Sequence, residues 1–347
     1  MLLRSLLPAA MSHRRAVVVM TVATLLWATA GVFARQVQGA QGFEITFWRS
    51  VLALLSMLLL LRWWRGPGFF GRIPWREPVL WLSGLCWTTM FTAFMMALSF
   101  TTVANVLVLS ALGPVFTALV NRFVLGNPLP RRTWFAIAMA GVGIFYIYAA
   151  QLTLGHDRKL IGSLIALLVP VGASAQWILM QREQQRVRRL VQQRLASELP
   201  LGQGGVTGLV PGSMGGETPV PDGTPQPRSE PPPAIRDMVP APLIGAALSA
   251  LICLPFSVPF QATLPDMGWL ALLGMVQLAI PCSMAVVASR VLHAPELSLL
   301  ALLEIIFGIL LTWWGAGEIP GPNVAIGGAL VIVALALNEI LGWRQTE

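Results

Sequence analysis

Two charged side chains stand where a hydrocarbon-compatible sequence has little use for them. Glu304 lies in LEIIFGILLTWWGAGEIP (303–320), and Arg49 lies in FWRSVLALL. Glu304 sits about eight residues into its apolar run, ~12 Å deep at the rise of an α-helix. A charge at that depth costs roughly 2.5 to 3.5 kcal/mol on insertion scales, so the side chain must face the interior of a helix bundle. There a carboxylate has two uses. It can be ionised against a cation, or protonated and exchange its proton as the site opens to each side in turn. A permanent tie to a neighbouring helix is the structural alternative. Arg49 is the one arginine well inside an apolar run. It can snorkel to the nearer surface, pair with Glu304, or receive an anionic group of a substrate.

Asn105, Ser110, Gln176 and Gln277 are the other polar groups singled out within apolar runs. Each either lines a cavity or makes an interhelical hydrogen bond of ~0.6 to 2 kcal/mol. Trp27 and the pair Trp313-Trp314 read as interface anchors or packing. Glu318 reads as a solvated turn residue that caps the next helix or orients the turn. Pro114, Pro170, Pro255 and Pro281 remove backbone hydrogen bonds and offer kinks. Ala136 and Ala140, and likewise Ala325 and Ala329, allow close backbone approach. They suit packing between the two halves of the chain or between two subunits of a homodimer.

These residues need a scaffold, and composition names it. Of 347 residues, 56% are apolar and 11% charged, against roughly a quarter charged in a soluble domain. The apolar residues fall in runs of about 18 to 22, each long enough to cross ~30 Å of hydrocarbon as a helix. An all-α integral membrane protein with ten spans is expected, near 16–34, 44–61, 78–98, 103–121, 132–150, 161–180, 242–260, 267–288, 296–314 and 323–342. The first span carries Arg14, Arg15 and an Ala28-Thr29-Ala30 stretch like a signal peptide. Its apolar run continues through Phe33, so it is read as a retained helix. With the N-terminus cytoplasmic, nineteen arginines fall on the cytoplasmic side and only Arg35, Arg158 and Lys159 on the other. That bias places both termini in the cytoplasm. It also accounts for the net charge of +8 without a nucleic-acid partner, since the basic residues form no single face. Cys86, Cys253 and Cys282 all lie in apolar runs and are expected to remain thiols.

One insertion interrupts the spans. Residues 182–198 place Val187, Leu190, Val191 and Leu195 on one helical face among arginines, suited to an anionic membrane surface or to a short solvated helix. Residues 200–240 contain 10 Pro and 8 Gly, a composition expected to form a disordered linker. The resulting organisation is a tail (1–15), a first five-helix half (16–150), a second half (161–180 and 242–342), the cytoplasmic insertion 181–241 and a tail (343–347).

The halves repeat. A shift of 191 residues overlays 105–130 on 296–321, matching Phe116 to Phe307, Leu119 to Leu310 and Gly126 to Gly317. The following turns, GNPLPRR and GEIPGPN, share Gly and Pro but differ in charge. Five spans per half is odd, so the second half enters the membrane inverted and its turn should lose the basic residues. Inverted repeats of this kind occur in secondary transporters, with substrate sites near the midplane. LLWATAGVFAR, EITFWRSVLALLSMLLLL, LGPVFTALV and LLEIIFGILLTWWGAGEIPGPNVAIGGALVIVALAL resemble the EamA family of the drug/metabolite transporter superfamily. That resemblance implies ten helices in two inverted repeats and alternating access. It further implies transport of small metabolites such as amino acids, and a place in a bacterial plasma membrane. The chain departs from the family pattern at Asn127, where Glu is usual, and at Ile305, where Pro is usual.

Other function classes lack their chemistry. An enzyme needs a convergent catalytic set, but His13, His156 and His293 lie in the tail or loops, and no H-E-x-x-H or paired-cysteine motif occurs. An ATP-driven pump subunit needs a phosphate-binding loop, and the only lysine sits in HDRKL. No cofactor is expected. Small-molecule substrate and lipid are the expected partners, and a channel is the competing reading.

Overall fold

The computed structural model describes residues 11–40, 42–125, 131–152, 157–198, 238–292 and 294–343. The turn at Asn127 and most of the expected linker lie outside them; the linker's last residues, Met238, Val239 and Pro240, are buried instead of disordered, with Met238 and Val239 in the apolar core. Every regular element described is helical: α1 (His13–Ala28), α2 (Ala30–Gln36), α3 (Phe43–Arg65), α4 (Pro78–Phe100), α5 (Val103–Ser110), α6 (Gly113–Leu125), α7 (Arg131–Leu152), α8 (Asp157–Ala166), α9 (Leu168–Glu198), α10 (Ala241–Ser257), α11 (Leu264–Gly274), α12 (Ile280–Ala288), α13 (Ala294–Ala316) and α14 (Pro322–Trp343). Among the described residues, six helical stretches are long and apolar enough to cross a membrane, and four shorter apolar helices accompany them.

The chain divides into two compact units. One holds the described residues from Glu183 to Glu198, and the other holds the remaining described residues. Of the first, the described part is the end of α9, where Glu183 and Arg186 lie 3.6 Å apart as an i, i+3 pair. The second unit carries the remaining helices.

Within that unit α10 packs against α3 and α4, α7 against α14, α1 against α12 and α13, α4 against α8, and α3 against α11. Small residues make these crossings close. A Cβ on Gly84 would meet Ile244 at 2.6 Å, and one on Gly245 would collide with Trp87. Hydroxyls join the same helices: Ser50 donates to Ser249 at 3.1 Å, and Thr92 lies 2.9 Å from Ser249. In lipid such contacts replace the hydrophobic drive that water supplies to soluble bundles.

The small face of α7 serves this intramolecular packing. Ala136 and Ala140 are buried, and a Cβ on Gly143 would lie 2.7 Å from the Gly327 carbonyl of α14 and 2.8 Å from Val331. Ala325 and Ala329 face outward instead.

Gly143→Leu is therefore expected to force α7 and α14 apart, costing about 1 to 3 kcal/mol as overpacking does and lowering the unfolding temperature in detergent. Gly141→Leu, where an added Cβ meets nothing, should leave that temperature unchanged. Equal stability of the two variants would contradict this account of the crossing.

Candidate functional site

The helices that surround the bundle interior are interrupted at mid-length. α1 and α2 part at Thr29, α5 and α6 at Ala111-Leu112, and α8 and α9 at Leu167. Proline explains two of these breaks. Pro114 and Pro170 have no N–H to give to the carbonyls four residues earlier, and α5 ends at Ser110 and α8 at Ala166. The fourth interruption is a π-helical turn, Met275–Ala279, between α11 and α12, closed by the Ile280 N–H to the Met275 carbonyl. Pro281 cannot donate to the Gln277 carbonyl, which favours the wider turn there.

A cavity of about 110 Å³ lies among these interruptions, room for several waters or a small organic molecule. Trp27, Trp87, Phe91, Phe94 and Trp177 give it an aromatic wall, and its polar side chains include Arg49, Ser110, Gln277 and Glu304. Arg49 is only 2% exposed. Its Nε and Nη2 donate to Gln277 Oε1 at 3.2 and 2.9 Å, and Nη1 donates to the Phe91 carbonyl at 3.3 Å. The Phe91 ring lies 5.8 Å from the guanidinium carbon, within cation–π range. Gln277 Nε2 reaches the Trp27 carbonyl at 3.5 Å. Arg49 neither snorkels nor forms an ion pair with Glu304, because Gln277 of the π turn and the Phe91 carbonyl of α4 hold it. Glu304 is half-buried and lines the cavity.

The structure thus brings together Arg49, Ser110, Gln277 and Glu304. It places Asn105 and Gln176 elsewhere. Asn105 is buried, with Nδ2 donating to Thr101 and Ser163 hydroxyls at 2.9 Å each. Gln176 is fully buried, and its Oε1 accepts from Ser83 at 2.8 Å. Both join helices and neither lines the cavity. Ser110 donates to the Val106 carbonyl at 2.9 Å and keeps its oxygen available as an acceptor. Trp27, read as an anchor, is a wall of the cavity, whereas Trp313 and Trp314 are exposed.

Sequence reasoning passed over three carboxylate contacts that gather the loops at one end of the bundle. Asp266 accepts from the amides of Gln38 (2.9 Å), Gly39 (3.1 Å) and Thr263 (2.9 Å). Glu44 accepts from the amides of Gln261 and Ala262 at 2.8 Å each. Glu318 accepts from Arg35 Nε at 2.8 Å and from the Val103 amide at 2.7 Å. Glu318 therefore caps α5 instead of the helix that follows it. A signal was available for Asp266, since Thr263-x-x-Asp266 forms a capping box at the start of α11. Beneath this end the packing is tight. A Cβ on Gly31 would meet Val103 at 2.6 Å, and one on Gly308 would meet Leu107 at 2.6 Å. Among the described residues no group of three or more His, Cys, Asp or Glu is arranged to hold a metal ion.

Residues 14–149 match the model described as the EamA-like transporter family. No curated protein matches the chain. A solved crystal structure of a protein 18% identical in sequence aligns with a TM-score of 0.58, over 95% of this chain and 99% of that one. At that identity the likeness concerns the fold alone.

Removing the Glu318 carboxylate leaves the Val103 amide and Arg35 without this acceptor. Glu318→Ala is expected to lower stability by about 1 to 3 kcal/mol, read as a fall in unfolding temperature in detergent. Glu318→Gln, which keeps a carbonyl oxygen for Val103, should recover part of the loss. No difference between the wild type and Glu318→Ala would remove the assigned role.

Proposed function

We propose, from the match of residues 14–149 to the model described as the EamA-like transporter family, that this chain is a secondary transporter of small metabolites. The expected cargo is amino acids or related compounds, and the expected direction is efflux. It works by alternating access between two inverted five-helix repeats, with proton coupling or facilitated exchange as its energetics. The observation that carries the reading is the cavity among the helix interruptions, where a guanidinium and a carboxylate line one aromatic-walled space. Polar backbone at membrane depth is tolerated where it lines such a space, and transporters build substrate sites from discontinuous helices.

The neighbour relations support two equivalent halves. Exchanging the halves converts the α1–α12 contact into α8–α4, α1–α13 into α8–α5, and α3–α11 into α10–α4, and each of these pairs is present. The α3–α10, α5–α13 and α7–α14 contacts map onto themselves. The sequence shift of 191 carries Ser110, Gly113 and Pro114 onto Ala301, Glu304 and Ile305, and all six line the cavity. The arginine asymmetry supports cytoplasmic termini in a bacterial plasma membrane. The tightly packed loop end beside Glu318 favours a carrier over an open channel.

The expected result for Glu304→Gln in reconstituted vesicles is normal insertion with loss of proton-coupled flux. Unchanged flux and pH dependence would leave facilitated exchange as the mechanism. Cysteines placed at Asn127 and Ile319 should react with impermeant reagents from opposite compartments. Labelling of both from the same side would overturn the inverted arrangement.

A further inference from the structure

Arg49 carries a buried charge whose closest contacts are uncharged. A guanidinium has five N–H donors, of which Arg49 gives two to Gln277 Oε1 and one to the Phe91 carbonyl. Two remain, on a side chain that lines the cavity. Resting on the reading of this cavity as a transport site, we propose that Gln277 is a positioning residue. It holds the Arg49 guanidinium open to the cavity as the docking point for the carboxylate of an aromatic or aliphatic substrate.

Three observations combine in this assignment. Gln277 is a neutral amide, so its two hydrogen bonds orient Arg49 without cancelling its charge. A glutamate there would supply the same acceptor geometry and consume the charge. The amide is itself fixed by its neighbours, since its Nε2 faces the Trp27 carbonyl and its backbone belongs to the π turn. That turn is pinned to α3, because a Cβ on the adjoining Gly274 would lie 2.7 Å from the Ala53 nitrogen and 2.9 Å from the Arg49 carbonyl. The guanidinium, the amide and the bulge therefore form one unit across the two halves.

The chemistry of the guest follows from the walls. A guanidinium offers a planar fork that matches a carboxylate. Glu304 lines the same small cavity, so a doubly charged phosphate would meet repulsion that a single carboxylate meets less. Trp27, Trp87, Phe91 and Trp177 suit an apolar or aromatic body. Gln277 also keeps Arg49 from swinging to Glu304, which would fill the anion's place with the protein's own carboxylate.

The full-length protein in detergent can be titrated calorimetrically with three probes of one shape: phenylacetate, phenylalanine and phenethylamine. Wild type is expected to bind the two carboxylates and to bind phenethylamine more weakly. Gln277→Glu should weaken both carboxylates by on the order of tenfold or more while leaving phenethylamine at least as well bound. Gln277→Met, similar in volume but without the acceptor, keeps the test open if the charged variant fails to fold, and should weaken carboxylates in the same direction. Size-exclusion profiles and unfolding temperatures verify folding. Carboxylate affinities within about twofold of wild type in the folded variants would overturn the assignment. So would a wild-type preference for phenethylamine, or folded wild type binding neither carboxylate. Transport is judged separately by vesicle flux. Flux without the binding pattern removes only the Gln277 assignment, and the binding pattern without flux removes only the transport reading.

Discussion

The arrangement depends on keeping a guanidinium at membrane depth. Bulk lipid offers such a group nothing, and the alternatives are to reach the interface, to neutralise it with a carboxylate, or to build acceptors around it. This chain takes the third course. One amide oxygen and one backbone carbonyl accept from Arg49, and the Phe91 ring lies beside it. Gln277 itself is presented by a π-helical turn, whereas a regular helix would display a different part of its surface. The charge, the bulge and the helix crossing at Gly274 are therefore mutually dependent.

The same logic explains why four helical stretches break around one space. Each proline frees a carbonyl, and an unpaired carbonyl in hydrocarbon costs several kcal/mol, on the order of the burial penalty of an isolated amide. Interruptions can collect only where another side chain or a wet cavity receives the freed groups. Ser174 ties two of the interrupted stretches together, its hydroxyl donating at 2.9 Å to the Gly113 carbonyl of α6 and lying 2.6 Å from the Pro170 carbonyl of α9. Broken helices and a polar cavity are thus two consequences of one solvation rule.

Much of the scaffold was legible because lipid leaves few choices. The expected span 78–98 appears as Pro78–Phe100 and 323–342 as Pro322–Trp343, since an apolar run in lipid must satisfy its backbone within itself. Four of the six polar candidates line the cavity, yet Asn105 and Gln176 do not. Residue type marks a polar group as needing a partner, while the face it occupies depends on where each helix breaks. The break at Thr29 carries no proline of its own, so a hydropathy pattern runs straight through it. Glu44 and Asp266 escaped notice for the opposite reason. They stand at span ends, where a carboxylate is ordinarily solvated, and only the folded loops reveal which amides they hold.

Carboxylates in this chain divide by what surrounds them. Asp266 and Glu44 each accept from two or more backbone amides, and Glu318 from one amide and one arginine. These contacts tie the loops at one end. Glu304 lines the cavity without an amide cradle and shares it with an arginine already oriented elsewhere. Glu304 therefore stands apart from the contacts that close the helix ends, and replacing it would leave those contacts intact. In the 191-residue sequence shift, Glu304 falls opposite Gly113, which lines the same cavity. Of these two cavity positions, only Glu304 carries a carboxylate.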